Sequence, residues 1–468
     1  MTSLSKKMQQ FNNPVEMLRN SQAGMYVYPV VTPEYRNWRS EQAAWREGAV
    51  LFDQTHHMDE VIVEGPQATE FLSHHAINSF ANFELNRAKH YVPVTPNGHV
   101  IGDHIIFREH ENKYILVGRA PTSNWLMFCA AQGQWNVRLR YDPRSPSRPE
   151  GERVIREHYR FQIQGPLAPK IFEEMNGGPI PDIKFFHVDW INIGSKKVQA
   201  LRHGMSGAPG LEIWGPYADK HYIQSVILDS AQKAGVDLVQ CGSRAYSTNT
   251  LESGWIPSPL PGIYTGGGLL EEYRNWLGAD MYEAAGAIGG SFVSDNIEDY
   301  YVNPFELGYD FYIGWKKKDF IGKQALEAIR EKGARRKKVT FEWNREDVLK
   351  VIASGFEDGT PYKWIDFPQP NYASSSADMV ADQNGNMVGM SMFNGYSWNE
   401  RSMLSLGVVN TDVNIGDVLT LRWGEPDDTL KTSTEKHRQA EIRVRISPTP
   451  YSKEARENYA DSWRTKSV

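Results

Sequence analysis

Apolar and polar residues change their spacing several times along this chain, and each change marks an element. Alternation predicts strands over His57–Glu64 and His104–Phe107, and helical periodicity predicts helices over Pro66–His74, Ala120–Gly133 and Ala218–Ala234. Ser145–Arg153 (SPSRPEGER) is rich in proline and charge and reads as a loop at a seam. Gln162–Val239 then forms a second α/β unit, and Gly242–Leu326 returns to the first. A polar, basic joint around Glu331–Arg336 leads into a β-rich tail, Lys337–Ser447, with strands such as Asn386–Met392 and Val418–Trp423. The expected units are therefore 1–155 with 242–332, then 156–241, then 333–468. No repeat of about 20–50 residues interrupts this order.

Composition narrows the class. At 468 residues the chain exceeds what one hydrophobic core supports. Its 40% hydrophobic and 23% charged residues are ordinary globular values, and a net charge of −6 gives no footprint for nucleic acid. The basic run Lys332, Arg335, Arg336, Lys337 and Lys338 follows a predicted helix and reads as a solvated face. Only Cys129 and Cys241 occur, far apart, so no disulfide framework is argued and a reducing cytoplasm is expected. No segment approaches about 20 consecutive apolar residues, so no membrane partner is expected. His56, His57 and His104 are the nearest thing to a metal set, but histidines on alternate strand faces do not converge. No metal is expected.

The most informative stretch is Leu201–Pro216, LRHGMSGAPGLEIWGP. Gly204, Gly207 and Gly210 permit a tight open turn, after which Leu211, Ile213 and Trp214 read as a half-buried strand ended by Gly215–Pro216. Glu212 sits inside that strand. An isolated buried carboxylate is costly, so it must find donors. Either it pairs with a cation such as Arg202, or it accepts two parallel N–H groups from the edge of a flat heterocycle. Upstream, Gln162 and Gln164 alternate with Phe161 and Ile163, so both amides share one strand face.

These segments fall in a familiar order. The Glu212 stretch resembles the YTGExGFEI segment of the folate-binding aminomethyltransferase (glycine-cleavage T-protein) superfamily. AVLFDQTHHM (Ala49–Met58) resembles its GMFDVSHM, and GHVIGDHIIF (Gly98–Phe107) its GGVIDDLIV. Gln164–Pro166 matches QGP, Leu251–Gly254 resembles LEAG, and Asn303–Leu326 resembles the SPxEAGLGW…KxDFIGKEAL block. Within the superfamily, VEMLRNSQ (Val15–Gln22), Gly242–Gly266 and Gly286–Ser294 resemble the tetrahydrofolate-dependent aryl O-demethylases. That group includes the vanillate/3-O-methylgallate, syringate and dicamba demethylases. The resemblance implies an α+β fold, with two α/β lobes around a central channel and a C-terminal β-barrel-like domain. It also implies transfer of a methyl group from a methoxylated aromatic acid to tetrahydrofolate.

Site roles follow from the same resemblance. Tyr246, in the polar turn GSRAYST just before an expected LESGW strand, falls at the family's proposed catalytic tyrosine. A phenol is well matched in pKa to a phenolate leaving group. Arg119 suits the substrate carboxylate, its rival reading being a surface arginine at a helix start. Gln54 and His57 suit a phenol or methoxy oxygen, Tyr28 closes the same pocket, and His56 is expected to be structural. For the folate, Glu212 holds the pterin edge, Gln162 and Gln164 supply an amide, and Phe185 and Trp255 offer stacking surfaces. Two positions depart from the pattern. Gly102 replaces the first aspartate of the IDDLI block, which argues against an aminomethyl substrate and leaves Asp103 without a clear role. Ala285 stands where vanillate-type enzymes carry serine, removing one hydrogen bond to the aryl substrate. The alternatives are an aminomethyltransferase or N-demethylase, and a non-catalytic folate-binding scaffold; KDFIGK (Lys318–Lys323) lacks the scaffold proteins' cysteine motif.

Overall fold

The computed structural model describes residues 2–24, 26–146, 154–257 and 259–457. Three β structures organise them. A five-stranded antiparallel sheet runs in the order Ala88–Tyr91, His104–His110, Lys113–Gly118, Asp59–Glu64, Arg138–Asp142. A six-stranded sheet runs Leu238–Gln240, Ala49–Asp53, His158–Gln164, Gly210–Pro216, Lys196–Leu201, Val188–Ile193, with only its first pair parallel. A closed six-stranded barrel contains Arg336–Trp343, Ser402–Asn410, Met387–Ser397, Asp378–Ala381, Val418–Trp423 and Ala440–Ser447. The fold is mixed α and β with a C-terminal barrel. Strand Ala49–Asp53 joins the second sheet, so the first 155 residues feed both sheets.

The second sheet has two unlike faces, and the difference positions the site. Leu51, Phe161, Ile163, Leu211 and Ile213 bury one face in a core shared with residues of helices Ala168–Asn176 and Lys220–Lys233. The first helix presents Ala168, Ile171, Phe172 and Met175 at helical spacing, and Gly177 ends it at φ 72°. Each large side chain so buried stabilises the fold by roughly 1.5–3 kcal/mol. The other face carries Gln162, Gln164 and Glu212, and meets the first sheet where Phe107 packs on Trp214 at 4.8 Å. Strand Gly210–Pro216 lies inside its sheet and is buried on both faces over Gly210–Trp214, more deeply than expected.

Two expected elements differ. The strand assigned to His57–Glu64 begins at Asp59, because Gln54–Met58 turn instead. Asp53 Oδ1 accepts the Thr55 N–H at 3.0 Å, and Arg156 donates to the carbonyls of Thr55 (2.7 Å) and Met58 (2.9 Å), which holds the chain bent. LESG is helical over Thr250–Ser253 and stops at Gly254, whose φ is 81°. The expected loop Ser145–Arg153 lies outside the described residues from 147 onward. Arg336, placed by its sequence in a solvated basic run, is half-buried and pairs with Glu306 at 2.7 Å.

Charge is also buried where the barrel meets the N-terminal segment. Lys363 and Glu425 pair at 2.8 Å, and Arg19 donates to the carbonyls of Gly290 and Phe292. Burial pushes Asp378 up to about 7 despite nearby Lys363. The unfolded chain releases this proton near pH ~4, so the contribution is full below that value and is lost as pH rises through about 7. Asp378→Asn is expected to raise the Tm at pH 8 and change it little at pH 4. An equal shift at both values would show that the carboxyl charge is not the cause.

Candidate active site

A cleft opens between the sheet lobes and the barrel domain. Tyr26, Tyr28, His57, Arg119, Tyr246 and Trp255 line it from the lobes, with Asn371, Ser374, Met392, Phe393 and Asn394 from the C-terminal domain. Five of the residues singled out from sequence thus share one cavity.

Tyr246 ends the short helix Ser243–Tyr246 and is buried. Its Oη lies 2.9 Å from His57 Nε2, and Gln54 Nε2 donates to it at 3.4 Å. Burial, followed by the cation Arg119, pushes His57 down to about 3, so its imidazole is neutral at ordinary pH. Burial pushes the Tyr246 phenol well above its usual value. The phenol therefore keeps its proton and accepts from Gln54, with His57 Nε2 as its second hydrogen-bond partner. Tyr28 packs edge-on against Tyr246 at 5.4 Å, and the Tyr26 hydroxyl fixes the His57 carbonyl at 3.0 Å.

Arg119 precedes helix Ala120–Ala131, as the pattern suggested, but it is half-buried in the cleft wall rather than on the surface. Its guanidinium lies 4.8 Å from the Tyr26 ring centre and 5.5 Å from that of Tyr282, and Nη2 donates to Tyr282 Oη at 3.3 Å. Among the described residues it forms no ion pair with any carboxylate. A guanidinium withdrawn from water without a counter-ion is a receptor for an anion.

Glu212 lies directly across from Gln162 in the strand register, and Phe52 flanks Gln162 on the other side. Its counter-ion is Arg160. Arg160 Nη1 donates to Glu212 Oε1 at 2.5 Å and Nη2 to Glu60 Oε1 at 3.1 Å, between the rings of Phe107 and Trp214. Glu60, also bonded to His158 Nδ1 at 2.7 Å, is held at about 2: burial opposes the shift, and the His158 bond and Arg160 outweigh it. Gln162 accepts from Gln54 Nε2 at 3.3 Å and donates to the His203 carbonyl at 3.2 Å. A polar line therefore runs from the second sheet to the Tyr246 hydroxyl.

Gln164 is engaged elsewhere. It accepts from the N–H and hydroxyl of Ser206 and donates to the Ala208 carbonyl at 3.3 Å, so its amide holds the glycine-rich turn. A Cβ at Gly204 would lie 1.1 Å from Gln164 Nε2, which is why that position is glycine. Trp255 donates from Nε1 to Asp103 Oδ2 at 2.7 Å, and His90 and Tyr309 meet the same oxygen. Asp103 thereby anchors a wall of the cleft. Gly102 leaves no space for a side chain, since a Cβ would sit 2.8 Å from Thr122 Oγ1. Phe185 packs on Phe186 at 4.8 Å and Ala285 is exposed; neither lines the cleft. His56 bonds Ser145 Oγ at 2.9 Å, and no metal-ligating cluster occurs among the described residues. No helix among them is long and apolar enough to cross a membrane.

Sequence reasoning missed Arg160, Tyr26, Asn249, Thr250 and the C-terminal wall. Arg160 had a usable signal, since it stands two residues before Gln162 and so on the same strand face. Residues 8–258, over half the chain, match the GCVT N-terminal domain. The chain belongs to the GCVT family. This GCVT protein is 46% identical to syringate O-demethylase of Sphingobium sp. over 99% of both chains. It is 28% identical to sesamin methylene transferase of Sinomonas sp. over 89% of both. Its fold matches the glycine cleavage system aminomethyltransferase T of Bartonella henselae with a TM-score of 0.61, at 16% identity and covering 93% of this chain and 96% of that one.

Proposed function

We propose that this GCVT-family protein is a tetrahydrofolate-dependent O-demethylase of methoxylated aromatic acids, of the vanillate, syringate, 3-O-methylgallate or dicamba type. The reading rests on one arrangement: a guanidinium without a counter-ion in the same cleft as a phenol that keeps its proton. Arg119 takes the substrate carboxylate bidentately. Tyr246 hydrogen-bonds the ether oxygen and stabilises it as it becomes a phenolate. Tyr28, Gln54 and His57 fix that phenol in place. As the O–CH3 bond breaks, its electron pair stays on the ring oxygen and the methyl would pass to N5 of the folate, whose released N–H proton balances the one that makes the phenolate a phenol. When bound, tetrahydrofolate supplies that amine nucleophile. The products are a phenol and 5-methyltetrahydrofolate.

The inward face of the second sheet suits a pterin. Glu212 offers a carboxylate beside the Gln162 amide, with Arg160 compensating its charge. Gln162, Glu212 and Trp255 hold the folate in this reading, while Gln164 shapes the turn beside it. Two buried free cysteines support a cytoplasmic setting.

Anaerobic incubation with tetrahydrofolate and each methoxybenzoate, scoring phenol and 5-methyltetrahydrofolate together, tests the reaction. Equal amounts of both are expected, and no methylated folate with any of the four acids would overturn the reading. Glu212→Gln is expected to weaken folate binding about tenfold or more, because one acceptor oxygen becomes a donor. An unchanged folate Kd by calorimetry would assign Glu212 to the Arg160 network alone.

A further inference from the structure

Three charged side chains bridge the two sheets behind the inward face of the second. Arg160, Glu60 and Glu212 are 1%, 4% and 6% exposed, Glu60 on the first sheet and the other two on the second. Arg160 divides its guanidinium between them: Nη1 bonds Glu212 Oε1 and Nη2 bonds Glu60 Oε1, while Nε has no partner. Glu60 is held in turn, because His158 Nδ1 meets its other oxygen at 2.7 Å. Glu212 therefore receives one N–H from a group able to give it two. Its Oε2 meets no donor among the described residues and, unlike Arg160 Nε, is not cut off from solvent.

We propose that Glu60 is a positioning residue for folate binding: by holding one side of the Arg160 guanidinium, it keeps the other carboxylate, Glu212, open for the pterin. This deepens the O-demethylase reading and rests on its placement of the pterin against Glu212. An arginine facing a lone carboxylate tends to form two parallel N–H···O bonds. A pterin edge also presents two parallel N–H groups, so the two compete for the same pair of oxygens. Glu60 decides that competition before any ligand arrives. The packing allows it to do so. Phe107 from the first sheet and Trp214 from the second lie 5.2 and 5.1 Å from the guanidinium. Flat rings resist tilting of the guanidinium and oppose its turning in its own plane far less, so the carboxylates set where its N–H groups point. Glu60 touches no ligand in this reading and acts through Arg160.

The test is Glu60→Leu, which roughly keeps the side-chain volume and removes the acceptor. A crystal structure of the unliganded variant is expected to show Arg160 bonded to both oxygens of Glu212. The tetrahydrofolate Kd by anaerobic calorimetry is expected to rise about tenfold. The Kd for a methoxybenzoate should stay within about twofold, and in turnover the folate KM should rise while kcat changes less than about twofold. A general loosening of the lobes would instead weaken both ligands together. Arg160 still on a single Glu212 oxygen, an unchanged folate Kd, or equal losses for folate and aromatic acid would each overturn the role. Should the leucine variant fail to fold, Glu60→Gln keeps the shape and leaves a neutral acceptor, whose bond to a guanidinium is weaker. Its folate Kd is expected to rise about threefold with the aromatic Kd unmoved, and no rise would count against the proposal. Methyl transfer is scored separately. A protein that transfers no methyl yet shows the Arg160 rearrangement and the selective folate loss refutes the reaction and supports the role of Glu60.

Discussion

Tyr246→Phe is expected to lower kcat by about 10²–10³-fold, the usual loss when one donor to a developing oxyanion is removed. The leaving oxygen needs a donor, and the Tyr246 O–H supplies it: held at about 3, His57 carries no imidazolium proton to give, and its Nε2 bonds the phenol rather than the substrate. In the proposed complex Arg119 is committed to the carboxylate end of the substrate. Tyr246 keeps its proton because burial opposes the phenolate, so the donor is present at any ordinary pH. Phenylalanine retains the ring contacts to Phe52 and Tyr28, both at 5.4 Å, and loses only the hydroxyl. Folate Kd and aromatic KM should therefore stay within about twofold. His57 also sets a pH trend. Its folded value lies below the unfolded ~6.5, so its contribution to stability is full above that value and is lost as pH falls toward about 3. Turnover by the Phe variant at the wild-type rate would remove Tyr246 from the chemistry.

The site was legible where function depends on residue type within a short motif, and illegible where it depends on how distant segments meet. Tyr28, His57, Arg119, Tyr246 and Trp255 come from separate motifs yet line one cleft. Alternation in FQIQGP correctly put Gln162 and Gln164 on one face, but not their different fates, which depend on the glycine-rich turn folding over Gln164. Arg160 was overlooked because an arginine in a strand reads as solvent-facing, and only the opposing sheet, with Phe107 and Glu60, makes it a buried bridge. The turn at Gln54–Met58 was hidden for a similar reason: Arg156, about a hundred residues away, holds it bent.

Arg119→Met should separate binding from stability in opposite directions. In the proposed complex the guanidinium meets the substrate carboxylate away from bulk water, and truncating one partner of such a pair costs about 2–5 kcal/mol. The KM for a methoxybenzoate is therefore expected to rise by about 10²–10³-fold, with a much smaller fall in kcat. A neutral methoxyarene, which never used the guanidinium, should lose little. Stability should move the other way. Without substrate the Arg119 cation is stacked on Tyr26 and Tyr282 with no carboxylate against it, so an apolar side chain of similar length relieves desolvation and keeps the packing. The unliganded variant is expected to melt at or above the wild-type Tm, and saturating methoxybenzoate should raise the Tm of the wild type only. A variant that melts well below the wild type would make Arg119 a structural stack. Equal losses on charged and neutral substrates would show that the carboxylate binds elsewhere.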